Sequence, residues 1–243
     1  MKTATVCGKW KLPIFFDSTN EDSVSRSERS YIHYAVKHPE LVSAKCWATE
    51  WLFSGTLPLG NYSAVEYLAG VGVQSIILKN TISLTKHLVL ERDENCVKHL
   101  INAGFDTRVA DARKLMSSET EFDIKLADFP SSSIVSVDTK WRGFKDLFTD
   151  NTKLIVWTDT AISYPLGVHG KRYGAKFGID QVRTKEEYIE LYSKWISKEF
   201  GFAIKKAAIR GKNAIYFAAV PHSSSLTVKE FPVTDTKGFS VDD

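Results

Sequence analysis

From Ser63 onward the chain repeats one pattern: a short apolar burst, then a stretch with helical apolar spacing. That alternation leaves few ways to fold. Bursts fall at residues 64–69, 87–91, 106–110, 122–127 and 153–158, and helical spacing falls at 73–83, 94–103 and 184–199. Gly104 supplies a stop for the second of these helices, and Thr184 with Glu187 three residues on supplies a cap for the third. Strands joined by crossovers of this length lie parallel, with helices covering both faces of the sheet. Lys153-Leu-Ile-Val-Trp-Thr is continuously apolar, as central strands of a covered sheet are. Two further bursts, 203–209 and 214–220, flank Arg210-Gly-Lys-Asn and read as a C-terminal antiparallel hairpin at the sheet's edge. The expected fold class is therefore α/β, a sheet of mostly parallel strands ending in an antiparallel hairpin.

The remaining chain is assigned around that core. Residues 1–30 are polar and lack an apolar period, so they read as an extended arm with at most one short strand at its start. Leu41, Val42, Ala44, Trp47, Ala48, Trp51 and Leu52 then mark an amphipathic helix from Pro39 to about Phe53. The expected division is an arm and helix over 1–60, within the same domain as a core over 61–225, and a tail over 226–243.

With 243 residues the chain can bury one sizeable core, and 43% hydrophobic against 25% charged content argues for a folded body. No stretch reaches the roughly 20 apolar residues of a membrane span, and Met1-Lys-Thr-Ala-Thr-Val lacks a secretory apolar region, so a cytoplasmic location away from membranes is expected. A net charge of +3 is compatible with a DNA or RNA partner, and the arm is suited to pack on a partner protein. Cys7, Cys46 and Cys96 are widely spaced and read as reduced thiols. The histidines form no H-E-x-x-H frame and no G-x-S-x-G elbow exists, so neither a metal site nor a serine hydrolase is expected.

In such sheets ligands bind beyond the carboxyl ends of the strands, where strand order reverses, so four loops matter. Glu66-Tyr-Leu68-Ala-Gly70-Val-Gly72 carries two glycines that let the backbone turn tightly and approach a ligand, or that serve as plain turn residues. Glu91-Arg92-Asp93 places carboxylates at the second strand's tip, fit either for a ribose diol or for the free N–H groups of the next helix. Asp111, between Ala110 and Ala112, suits an adenine amine or a turn. Asp128-Phe129-Pro130 puts a carboxylate, an aromatic ring and a rigid turn at the end of the fourth burst. Further on, Tyr164, His169, Lys171, Arg172 and Tyr173 mix rings and cations in one loop, fit for stacking on bases beside phosphates or for an ordinary solvated surface.

Taken in order, Ala64-Val-Glu66-Tyr-Leu-Ala-Gly70-Val-Gly72, Leu88-Val-Leu-Glu91-Arg-Asp93, Ala110-Asp111-Ala112 and Asp123-Ile-Lys-Leu-Ala-Asp128-Phe-Pro130 resemble the motifs of class I S-adenosylmethionine-dependent methyltransferases, which have a Rossmann-like fold. The resemblance covers about residues 60 to 220. It implies S-adenosyl-L-methionine as cofactor, with Glu66 near its amino acid part and Gly70 and Gly72 passing beneath it. Glu91 would take the ribose, Asp93 would flank the adenine and Asp111 would meet its amino group, with Leu68, Arg92 and Ala112 among the cofactor-binding residues. Asp128, Phe129 and Pro130 would border methyl transfer. The fourth motif departs from the Asp/Asn-Pro-Pro-Tyr/Phe of enzymes that methylate base amines, since Phe129 replaces the first proline and Ser131 the stacking aromatic. Two functions remain open: methyl transfer, with nucleic acid as acceptor, and a catalytically inactive binding or structural protein on the same fold.

Overall fold

The computed structural model describes residues 2–14, 34–111, 121–128, 146–159, 184–211, 214–223 and 225–242. Two short strands open the chain, β1 (Lys2–Val6) and β2 (Trp10–Ile14), followed by helix α1 (Pro39–Phe53). Alternation then proceeds through β3 (Tyr62–Tyr67), α2 (Val73–Thr81), β4 (Leu84–Glu91), α3 (Glu94–Asn102), β5 (Asp106–Val109), β6 (Ile124–Ala127) and β7 (Leu154–Asp159). Helix α4 (Lys185–Phe200), β8 (Ala203–Arg210), β9 (Ala214–Val220), β10 (Thr227–Phe231) and β11 (Phe239–Asp242) complete the order.

Eight strands form one sheet in the order β10-β8-β9-β7-β6-β3-β4-β5, and β11-β1-β2 form a smaller antiparallel sheet. From β5 to β7 every neighbouring pair is parallel, while β9 runs antiparallel between β7 and β8. The chain leaves β3 toward β4 and β5 and returns on the other side as β6 and β7, so strand order reverses between β3 and β6.

The central strands of the sheet are buried on both faces, whereas the edge strands β5 and β10 are largely exposed. Along β9 the residues alternate between two cores: Ala214, Tyr216 and Ala218 join α1, α2 and α3, whereas Ile215, Phe217 and Ala219 join α4. This is why the β9 burst is continuously apolar in sequence. Thr184 caps α4 through its side chain to the Glu187 N–H, and Glu187 answers to the Thr184 N–H.

Both ends of the chain are more ordered than their polarity suggests. The expected arm begins with a hairpin, turned at Cys7 and Gly8 with φ of 51° and 60°, that buries Ala4, Val6 and Leu12. Its partner is β11, with Thr3 opposite Asp242, a pairing that no local window reveals. The segment expected as a tail also supplies β10, which pairs parallel with β8, so the sheet's edge is β10 rather than the β8–β9 hairpin.

Helix α1 lies between these layers and is buried on more than one side, including Ser43, Lys45 and Thr49. Its C-terminal carbonyls are held by lysines of β8: Lys206 donates to Trp51 O at 2.8 Å and to Ser54 O, and Lys205 donates to Thr56 O at 2.9 Å. The Gly238 N–H donates to Ser43 Oγ at 2.6 Å and fixes the helix against the C-terminal segment.

On the sheet's other face Lys125 is fully buried, donating to Thr149 Oγ1 at 3.0 Å and Asp146 O at 3.3 Å. Burial pushes its ammonium down from 10.5 to about 8, offset only in part by the charge of Asp146. The folded chain thus holds this proton less tightly than the unfolded chain. Stability contributed at this site is lowest below pH about 8 and rises as pH climbs toward 10.5, by about 3 kcal/mol in all. Denaturant melts of wild type and Lys125→Met across that window check this: the variant's stability rises less with pH than the wild type's.

Candidate functional site

At the carboxyl edge beside the β3–β6 reversal, the loop after β3 makes a tight left-handed path. Leu68, Gly70 and Gly72 have φ of 60°, 57° and 92°. Gly72 begins α2, and a Cβ there would lie 2.7 Å from Leu100 Cδ2, so helix α3 closes the space that a side chain would need. Leu68 adopts the same strained region with a side chain, which packs on the core beside α4.

Glu91, the last residue of β4, ties this loop down. Its Oε2 accepts from the Gly70 N–H at 2.8 Å, and its Oε1 accepts from the N–H groups of Arg92 and Asp93 at 2.7 and 3.0 Å. The Ala110 N–H donates to Glu91 O at 2.8 Å, joining the tip of β5 to the same point. The Glu91 carboxylate thereby holds the glycine loop and the turn after β4, its main-chain carbonyl holds the tip of β5, and one of the carboxylate's lone pairs is left for a ligand hydroxyl. Asp93 is the N-cap of α3, accepting from Asn95 and Cys96, and the Arg92 side chain is exposed. Asp111 is half-buried just beyond β5.

Glu66 lies deeper than a simple ligand contact requires. It is fully buried, with Oε2 accepting from Ser75 Oγ at 2.6 Å and lying 3.5 Å from His87 Nε2. Its Oε1 is a buried acceptor with no partner among the described residues. An unused acceptor on β3 and a carboxylate with a spare lone pair at the tip of β4 fit a ligand that carries both an amino group and a ribose.

The end of β6 is organised by residues that pattern reading did not single out. Asp128 Oδ2 accepts from Lys45 Nζ of α1 at 2.5 Å, and Oδ1 accepts from Thr158 Oγ1 of β7 at 3.0 Å. The pair is enclosed, with side-chain exposures of 6% for Lys45 and 17% for Asp128. Next to it stands Tyr216 of β9, opposite Thr158, with the Arg210 guanidinium 5.6 Å from its ring. Burial pushes the Tyr216 hydroxyl well above its ordinary range; Arg210 draws it back, and Asp128 pushes it further. The Tyr216 hydroxyl and Arg210 Nε are buried without hydrogen-bond partners among the described residues.

Lys45 did leave a signal in the sequence. It occupies the apolar stripe Leu41, Lys45, Ala48, Leu52, where a cation needs a buried partner. Ala112, Phe129, Pro130, Tyr164, His169, Lys171, Arg172 and Tyr173 lie outside the described residues.

The strand order, the reversal and the glycine loop make a Rossmann-like fold, the fold that solved S-adenosylmethionine-dependent methyltransferases have. Solved structures share it. One is an S-adenosylmethionine-dependent methyltransferase from Mesorhizobium loti, at 16% identity over 73% of this chain and 97% of that one, with a TM-score of 0.50. Another is the magnesium protoporphyrin IX methyltransferase of Synechocystis PCC 6803 with bound S-adenosylmethionine, at 12% identity over 86% and 94%, with a TM-score of 0.51. Neither a family model nor a curated protein matches the sequence.

Proposed function

We propose that this chain binds S-adenosylmethionine at the loops joined by Glu91 and transfers its methyl group to a nucleic acid. The observation that carries the reading is the convergence of Gly70, Glu91 and Ala110 beside the strand reversal. The Glu91 carboxylate takes a ribose hydroxyl, the left-handed loop lets the backbone approach, and Glu66 Oε1 on β3 offers a buried acceptor. The bound group supplies a methyl carbon on a sulfonium, and transfer from it needs in-line orientation of a nucleophile rather than a metal. Nucleic acid as acceptor is supported by the net charge of +3 and by the rings and cations at Tyr164, His169, Lys171, Arg172 and Tyr173. Calorimetric titration with S-adenosylmethionine and S-adenosylhomocysteine is the test. Micromolar binding of both is expected; no heat at millimolar ligand sinks the enzyme and leaves a binding module.

A further inference from the structure

The Lys45–Asp128 pair bears on which atom receives the methyl group. We infer that the acceptor is a hydroxyl oxygen and, within a nucleic acid, a ribose hydroxyl of RNA; this rests on the methyl-transfer reading above.

The argument is one of charge. An amine nucleophile becomes positive as it attacks, so an ammonium beside it raises the barrier. A hydroxyl becomes negative as it gives up its proton, so the same ammonium lowers the barrier. Lys45 is held at 2.5 Å from Asp128, enclosed, at the end of the strand bordering the reversal. The Arg210 guanidinium, 5.6 Å from the Tyr216 ring, adds a second cation to this end of the sheet among the described residues. Asp128 already accepts from Lys45 and Thr158, yet each of its oxygens retains a lone pair for a hydroxyl hydrogen. The Tyr216 hydroxyl and Arg210 Nε, both without hydrogen-bond partners among the described residues, can each donate to an oxygen of the acceptor. The sequence agrees, since Phe129 and Ser131 stand where amine-methylating enzymes place proline and a stacking ring.

The step balances without a further reactant. The hydroxyl oxygen bonds to the methyl carbon as the carbon–sulfur bond breaks. Sulfur keeps that electron pair and becomes a neutral thioether, and the hydroxyl proton passes to Asp128 and on to water. Within a nucleic acid chain only the 2′-hydroxyl of RNA offers such an oxygen, whereas internal DNA nucleotides have none.

The test incubates the full chain with tritiated-methyl S-adenosylmethionine and either a random-sequence RNA or DNA of matching sequence. Products are hydrolysed in alkali, which cannot cut beside a methylated ribose oxygen. Label in alkali-resistant dinucleotides from RNA, with none in DNA, is the expected result. Label on a base, label in DNA, or no label in RNA from protein that binds S-adenosylmethionine by calorimetry overturns the inference. Absence of that binding would instead bring down the methyl-transfer reading itself. Lys45→Met and Asp128→Asn should each lower kcat by about 100-fold or more, with KM and calorimetric affinity for S-adenosylmethionine unchanged. Lys45→Arg, which keeps the charge, should recover part of the rate and shift its pH profile. The retained affinity shows that each variant is folded, and wild-type kcat in Lys45→Met overturns the role given to the pair.

Discussion

Glu91→Ala weakens S-adenosylmethionine binding by at least about 100-fold, because the substitution removes charge-assisted hydrogen bonds of about 1.5 to 3 kcal/mol each. Two losses combine. The ribose hydroxyls lose their acceptor, and the Gly70, Arg92 and Asp93 N–H groups lose theirs, so the glycine loop no longer holds its left-handed path. Titration calorimetry on wild type and variant measures the ratio, while Glu91→Gln separates the two contributions. The amide keeps one acceptor oxygen, so it should retain more of the loop's order than of the ligand's affinity. Affinity in Glu91→Ala equal to wild type would mean that the ligand sits elsewhere.

Trp157→Ala destabilises the chain by about 3 to 5 kcal/mol, the range for emptying a large buried aromatic site. Trp157 is 2% exposed, and its ring lies 5.2 Å from Phe217, 5.9 Å from Phe148 and 6.3 Å from Tyr192, so it joins three elements over one face of the sheet. The next residue is Thr158, which donates to Asp128. The cavity should therefore slow methyl transfer through a displaced Thr158 as well as lower the melting temperature. Trp157→Phe, which fills most of the space, should restore both. Chemical denaturation of the three proteins measures the first effect, and single-turnover kinetics the second.

Much of the core was legible because it is local. Each burst of β-branched and aromatic residues between β3 and β9 answers to a strand within two or three residues, since a strand covered on both faces needs a continuous apolar run. Gly104 and the Thr184–Glu187 pair mark helix ends through chemistry contained in a few residues. The small sheet was hidden because its strands are short, and β1 finds its second partner, β11, at the far end of the chain. At the site, Glu91 and the glycine loop could be read from strand ends. Lys45 could not be joined to Asp128 by spacing, because the bond spans 83 positions and depends on how α1 docks.

That docking has a consequence for how the protein comes apart. The loops around Glu91 are held by contacts among residues 69–111, whereas α1 is braced by Lys206 of β8 and Gly238 near the C-terminus. Elements of one structure open with different free energies, and those with the most distant tethers release as units. A fluctuation that parts β11 from β1 should loosen Ser43 and, two positions along the helix, Lys45, before it reaches Glu91. Mild heat or denaturant therefore uncouples the two halves of the site. Amide hydrogens of α1 and the small sheet should exchange before those of β3 and β4, leaving the bonds at Glu91 in place while the Lys45–Asp128 pair is parted.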